Sequence, residues 1–127
     1  MTHEDFVTFE QAKALKGFGF NSKCMYWYHP EDPFNIIESV VCCNHNDFNR
    51  PYSAPTLAQA QKWLREVRGL CICSMCKIDN RRRYKYQWMI TFLDENKSDS
   101  SADIFFDSYE KALSAGIDKA IEILKQQ

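Results

Sequence analysis

Apolar positions along this chain recur with two spacings, one helical and one alternating, and the stretch from Ala54 to Gln127 keeps to them with hardly a residue out of place. Thr56-Leu57-Ala58-Gln59 has the form of a capping box, in which a Thr hydroxyl takes an early helix amide and a Gln side chain reaches back. Behind it Leu57, Ala60, Leu64 and Val67 fall on one stripe with Trp63 beside it, while Gln61, Lys62, Arg65 and Glu66 cover much of the rest. Gly69 supplies the stop, and Leu70 can fold back on the last turn. Cys71 to Ile78 reads as a strand, Asp79-Asn80 as a turn, and Tyr84 to Leu93 as the returning half of a hairpin. On that returning strand Tyr84, Tyr86, Trp88, Ile90 and Phe92 share one face, and Arg83, Lys85, Gln87, Met89 and Thr91 share the other.

Asp94 to Asp103 is polar and serine-rich and reads as a loop. Ile104-Phe105-Phe106 is a short strand or an apolar lead-in. Asp107 with Glu110 then resembles a capping-box start for a helix with the stripe Tyr109, Leu113, Ile117, Ala120 and Leu124, and Ala112, Gly116 and Ile121 beside it. A glycine costs about 1 kcal/mol inside a helix. Gly116 lies on the buried stripe all the same, which predicts close packing there against an aromatic of the sheet.

The first half is less regular. Thr8-Phe9-Glu10-Gln11 is another capping box, for a short helix through Ala12 and Leu15 that Gly17 would end. Cys24 to Tyr28 is an aromatic-rich strand, broken by His29-Pro30-Glu31-Asp32-Pro33. Ile36 to Cys43 is a second strand, and Asn44 to Ser53 reads as a loop. The order α-β-β-α-β-β-(β)-α predicts an α+β fold: one two-layer domain over residues 1–127, an antiparallel sheet with helices on one face. Residues 54–127 are its best-defined part, and the aromatic face of Tyr84 to Phe92 is expected to lie under the last two helices.

Composition changes little in this picture. Apolar residues make up 45% and charged residues 26% of 127 positions, and the net charge is −1, which suits a globular protein and argues against a broadly cationic binder. No apolar run is long enough to cross a membrane and no leader is visible, so a cytoplasmic, reducing location is expected, with the six cysteines as thiols.

Candidate chemistry is sparse. Cys73 and Cys76 form a single C-x-x-C, but on a strand they point to opposite faces, as do the adjacent Cys42 and Cys43. Together with Cys71 these read as small core thiols, and neither a metal nor another cofactor is expected. A redox pair would need a helix N-terminus behind it, and here the motif enters a hairpin. His3, His29 and His45 lie in no recognised catalytic motif, so a Cys–His nucleophile pair has no sequence support beyond composition. No phosphate loop and no paired carboxylates stand out. These readings predict no catalytic residues and a protein that is not an enzyme.

The binding candidates are more concrete. Lys77, Arg81, Arg82, Arg83 and Lys85 crowd one hairpin with Tyr84 and Tyr86 interleaved, a combination suited to RNA or a single strand. From Thr56 onward the element order also matches that of a double-stranded-RNA-binding domain. That fold grips phosphates with a basic start to its last helix, whereas here the helix opens Asp107-Ser108-Tyr109-Glu110. Binding to another protein is therefore the leading expectation and nucleic acid the alternative. Trp27, Tyr26, Tyr28 and Trp63 are candidate contacts that are more readily explained as core, and an edge strand could pair with a second copy.

Two stretches carry a likeness, Tyr52-Ser53-Ala54-Pro55-Thr56-Leu57-Ala58-Gln59-Ala60-Gln61-Lys62-Trp63-Leu64-Arg65-Glu66 and Ser108-Tyr109-Glu110-Lys111-Ala112-Leu113-Ser114-Ala115-Gly116-Ile117. They resemble a family of short cytoplasmic proteins from gut Bacteroidales and their phages and mobile elements. The likeness covers residues 52–127 well and the helix around Phe9 to Lys13 more loosely. It implies a cytoplasmic bacterial or phage setting and brings no activity or catalytic residue with it. The cysteine cluster is not part of the shared pattern.

Overall fold

The structure, a computed structural model, describes residues 2–78 and 80–127, so the predicted turn residue Asp79 lies outside the described residues. The fold is α+β with antiparallel pairing throughout. The chain divides into two compact units, residues 1–60 and 61–127. Where the sequence predicts one sheet, the strands form two of three strands each. Pairing between distant segments decides this, and the alternation of one strand carries no record of its partner.

In the first unit, α1 (Phe9–Gly17) opens as expected: Thr8 Oγ1 accepts from the Gln11 amide at 3.2 Å, and Gln11 Oε1 accepts from the Thr8 amide at 2.8 Å. Its end differs from expectation. Gly17 remains helical, Phe18 is the cap, and Gly19 (φ 92°) is the residue that turns left-handed. The helix delivers Ala12 and Leu15, both fully buried, to a core with Val7, Phe20, Cys24 and Tyr28. Tyr28 donates its hydroxyl to the Val7 carbonyl at 2.7 Å, which satisfies the one polar atom it brings inside. Phe9 meets Tyr28 and Tyr52 edge-on, with ring centroids 5.6 and 5.5 Å apart.

The sheet of this unit has the order β2-β1-β3, with β1 (Cys24–Tyr28), β2 (Ile37–Cys43) and β3 (Tyr52–Ser53). β3 falls inside the stretch read as loop. Two residues are too few to show alternation, and they become a strand only because Trp27 and Tyr28 pair with them. β2 is heavily bulged. Tyr26 faces Glu38 and Cys24 faces Cys43, so a single β1 residue lies opposite Ser39 to Cys42. The bulge throws Val40 and Val41 outward, at 97% and 59% exposure.

The second unit is a meander, β4 (Leu70–Ile78), β5 (Tyr84–Phe92) and β6 (Lys97–Ser100), with α3 (Tyr109–Lys125) packed on β4 and β5. The boundary between the units falls within α2 (Leu57–Arg68). The α2 capping box forms through Thr56 and Gln59 as the sequence predicts. On its stripe Trp63 and Leu64 are buried, while Val67 is 59% exposed and does not join the core. Gly69 adopts φ 69° and lets β4 follow at once.

β6 is a strand where the sequence reads as loop. Lys97-Ser98-Asp99-Ser100 has no apolar alternation because it is an edge whose side chains are largely exposed, and the β5 backbone supplies the pairing. The possible strand at Ile104 to Phe106 reduces to one bridge between Phe106 and Tyr86. Ser108, not Asp107, caps α3, accepting from the Lys111 amide at 3.1 Å. Ala112, Leu113, Gly116, Ile117, Ala120, Ile121 and Leu124 are buried. Gly116 lies against Ile72 and Trp88, and a Cβ there would come within 2.8 Å of Ile72 Cγ2 and 3.0 Å of Trp88 Cβ. This is the close helix–sheet approach that the glycine predicts.

Candidate functional site

α3 covers only part of the sheet face beneath it. Trp88 and Ile90 are buried there, but the same face continues toward the hairpin through the cross-strand pairs Cys76–Tyr86 and Ile78–Tyr84. Ile78 is 63% and Tyr84 65% exposed. Tyr109, the first residue of α3, closes the edge of this area, its ring 6.4 Å from that of Tyr86 and nearly perpendicular to it. The Tyr86 phenol is pushed up from its ordinary pKa, first by the Cys76 thiol beside it and then by partial burial, with Glu110 and Tyr84 adding to the effect. The expectation that the whole aromatic row lies under helices therefore holds for Trp88 and fails for Tyr84.

The basic residues predicted for this hairpin lie at the same end of the sheet, three in the turn and two on the face opposite that patch. Arg81, Arg82 and Arg83 are all exposed in the turn, and Arg82 is left-handed at φ 59°. Lys77 and Lys85 are direct cross-strand partners on the opposite sheet face, with Lys77 exposed and Lys85 half-buried. Two like charges directly opposed cost stability in a sheet. The Lys85 ammonium lies 5.9 Å from the centre of the Phe105 ring, whose electron-rich face attracts it and offsets part of that repulsion. The fold thus brings all five predicted residues to one end of the second unit, and adds Ile78, which the sequence pattern does not single out as a surface residue, and Tyr109, which the pattern places on the buried stripe of α3 but which is exposed at the helix start. An apolar residue at a strand end carries no signal of being uncovered.

The cysteines correct the sequence reading. Only Cys24 is a core thiol; burial first, then the neighbouring Cys42, push it up to about 12. Cys42, Cys73 and Cys76 are exposed, and Cys43 and Cys71 are half-buried. The register does place Cys73 and Cys76 on opposite faces, paired with Met89 and Tyr86. Cys73 is raised by burial and then by Cys71 on the same face, with Arg65 opposing. Among the described residues no three His, Cys, Asp or Glu side chains converge so as to hold a metal ion.

The first unit holds an open groove of about 440 Å³, lined by Trp27, His29, Ser39, Val41, Cys43, His45, Phe48, Arg50 and Pro51. Its walls are fixed by backbone capture. Lys16 donates to the carbonyls of Phe48, Asn49 and Pro51 at 2.7, 3.2 and 2.9 Å. Asn46 donates to the Phe20 carbonyl at 2.9 Å and accepts from the Ser53 amide at 2.9 Å. Between these anchors, in the short 3₁₀ turn His45–Asp47, sits a buried His45. The sequence alone leaves the three histidines unplaced in space. The fold brings one of them to a cysteine.

Comparison with known proteins adds no relative: no protein-family model matches the chain, and neither does any curated protein or solved structure.

Proposed function

We propose that this chain is a binding protein, not a turnover enzyme, and that the hairpin end of its second unit takes an acidic segment of another protein. The observation that carries the reading is the exposed Ile78–Tyr84 pair next to Arg81, Arg82 and Arg83, outside the area α3 covers. Tyr and Arg dominate the energetics of protein contacts, because each offers a large contact area at modest entropy cost with polar tips that specify geometry. An apolar residue of the partner would rest on Ile78 and Tyr84 while its carboxylates meet the guanidinium groups, which bind them in a two-pronged fork. No helix of the described residues is long and apolar enough to cross a membrane. We place the protein in the cytoplasm of a bacterium or its phage on the sequence likeness of residues 52–127.

The directly opposed Lys77 and Lys85 favour a second reading, RNA or a single strand. Against it, Trp88 is buried, Tyr86 is already packed edge-on against Tyr109, and Glu110 lies close enough to raise the Tyr86 phenol. That leaves Tyr84 as the one ring of the row well placed for stacking.

The two readings separate in one titration. An acidic glutamate–tyrosine copolymer should bind, and binding should be lost on replacing Arg81, Arg82 and Arg83 with Ala. A single-stranded RNA should bind weakly at most. RNA binding that falls steeply with salt, together with no binding of the copolymer, would replace the first reading with the second.

A further inference from the structure

We propose that Cys71, Cys73 and Met89 form a three-sulfur site for a monovalent copper ion, on the sheet face of the second unit that is turned away from α3. The α3 side of the sheet belongs to Ile72 and Trp88, which meet Gly116. Cys73 and Cys76 point to opposite faces, but Cys71 and Cys73, two residues apart on β4, share the other face. Burial raises the Cys73 thiol first, and Cys71 then raises it through both charge and a hydrogen bond, which places the two thiols in contact. The register sets Met89 directly opposite Cys73 on that face, with the two Cβ atoms about 4.5–5.5 Å apart. From there a flexible thioether side chain can reach the pair. Met75 shares the face but stands opposite Gln87 and about 13 Å along the strand from Cys71, too far to complete the same site.

The donors choose the ion. A thioether is a soft ligand that copper(I) accepts, whereas zinc fills a tetrahedron of Cys, His or carboxylate ligands. Among the described residues no third His, Cys, Asp or Glu joins these two thiols. Binding displaces one proton from each thiol, the copper stays monovalent, and no oxidant or reductant is consumed. Two thiolates and a neutral thioether around one copper(I) leave a single negative charge. Arg65 offsets part of it, since it already opposes the burial and the Cys71 thiol that raise Cys73. Cys73 is exposed while Cys71 and Met89 are half-buried, so the ion would be held on one side and reachable from the other. The site is independent of the hairpin surface.

The test titrates the reduced, metal-free full chain with copper(I) under argon, in competition with bathocuproine disulfonate, whose coloured complex reports the copper that the protein does not hold. Replacing Cys71 and Cys73 together by Ser should remove one equivalent of the copper that the wild type retains. Replacing Cys42 and Cys43 by Ser, in the first unit, should leave that equivalent in place. X-ray absorption on the Cys42→Ser, Cys43→Ser protein loaded with one copper(I) should show three sulfur neighbours and no lighter one. Met89→Leu keeps the volume of the side chain and removes its sulfur. It should weaken binding by about tenfold or more and lower the sulfur count to two, while Met75→Leu changes neither. The Met89→Leu arm decides if the double Ser variant does not fold. A retained equivalent in the folded Cys71→Ser, Cys73→Ser protein would overturn the proposal. So would loss of that equivalent in the Cys42→Ser, Cys43→Ser protein, or a Met89→Leu protein with wild-type affinity and three sulfur neighbours.

Discussion

Adding one methyl group at Gly116 sets two effects of known size against each other. In an exposed helix Gly→Ala stabilises by about 1 kcal/mol. Here the new Cβ would meet Ile72 Cγ2 at 2.8 Å and Trp88 Cβ at 3.0 Å, with Trp88 Cγ at 3.4 Å. None of these atoms lies at the end of a flexible chain. Ile72 is β-branched and fully buried, and the Trp88 Cβ is bonded to the β5 backbone, so relief requires moving α3 off the sheet. Overpacking of that kind costs about 1–3 kcal/mol, which exceeds the propensity gain. Gly116→Ala should therefore destabilise the second unit by a net of about 1 kcal/mol, up to about 2. Gly17→Ala is the control, since nothing lies within 4 Å of a Cβ there and its φ is not positive; it should be neutral or slightly stabilising. Urea denaturation followed by far-UV circular dichroism measures both, with the slope checked for two-state behaviour. In an Ile72→Ala background the cost of Gly116→Ala should shrink, because the nearest clash is gone. A Gly116→Ala protein as stable as wild type or more so would refute the reasoning and mean that α3 sits farther from the sheet.

Three further outcomes follow from the same geometry. Ser108→Ala should cost about 1 kcal/mol of stability and Asp107→Ala less than about 0.5, measured by the same denaturation, because Ser108 accepts the Lys111 amide. Lys16→Met should destabilise the first unit by about 1–3 kcal/mol and speed amide exchange at residues 48–52, since three carbonyls lose a charged donor. Alkali should loosen the first unit. Burial pushes both Cys24 and Tyr28 up to about 12, so each unfolded group gives up its proton before the folded one does. Their contribution is whole below about pH 9, falls as the unfolded groups ionise, and is gone once pH passes about 12; for Tyr28 it is on the order of 3 kcal/mol. Thermal melts across that range should show the decline begin at the same pH in a Tyr28→Phe protein, where Cys24 remains and sets the onset, but fall less far.

What can be read from the chain is what neighbouring residues decide among themselves. The Thr8 and Thr56 caps and the buried stripe of α3 depend on contacts within a few residues, and each is present. Gly116 is legible because a helix-weakening residue on an apolar stripe is worth its cost where a side chain would not fit. β3 and β6 are not, because their strand character comes from β1 and β5 and not from their own pattern. The stop at Gly17 fails for a related reason: two glycines stand two residues apart, and only the packing chooses Gly19. The basic hairpin is visible as charge, but the uncovered Ile78–Tyr84 pair beside it depends on where α3 begins. The meeting of Cys43 and His45 is hidden more deeply. It needs the bulge in β2 and the Asn46 anchors, neither of which a local pattern announces.

The most direct test is what the hairpin end binds. Random short peptides and random RNA should be selected in parallel on immobilised wild-type chain and on the variant with Arg81, Arg82 and Arg83 replaced by Ala, and the retained pools sequenced. The expected pool holds peptides that pair Asp or Glu with an aromatic or aliphatic residue, retained by the wild type and lost from the variant, and no enriched RNA. An RNA pool that the wild type holds and the variant releases, or enriched peptides indifferent to the three arginines, would contradict it.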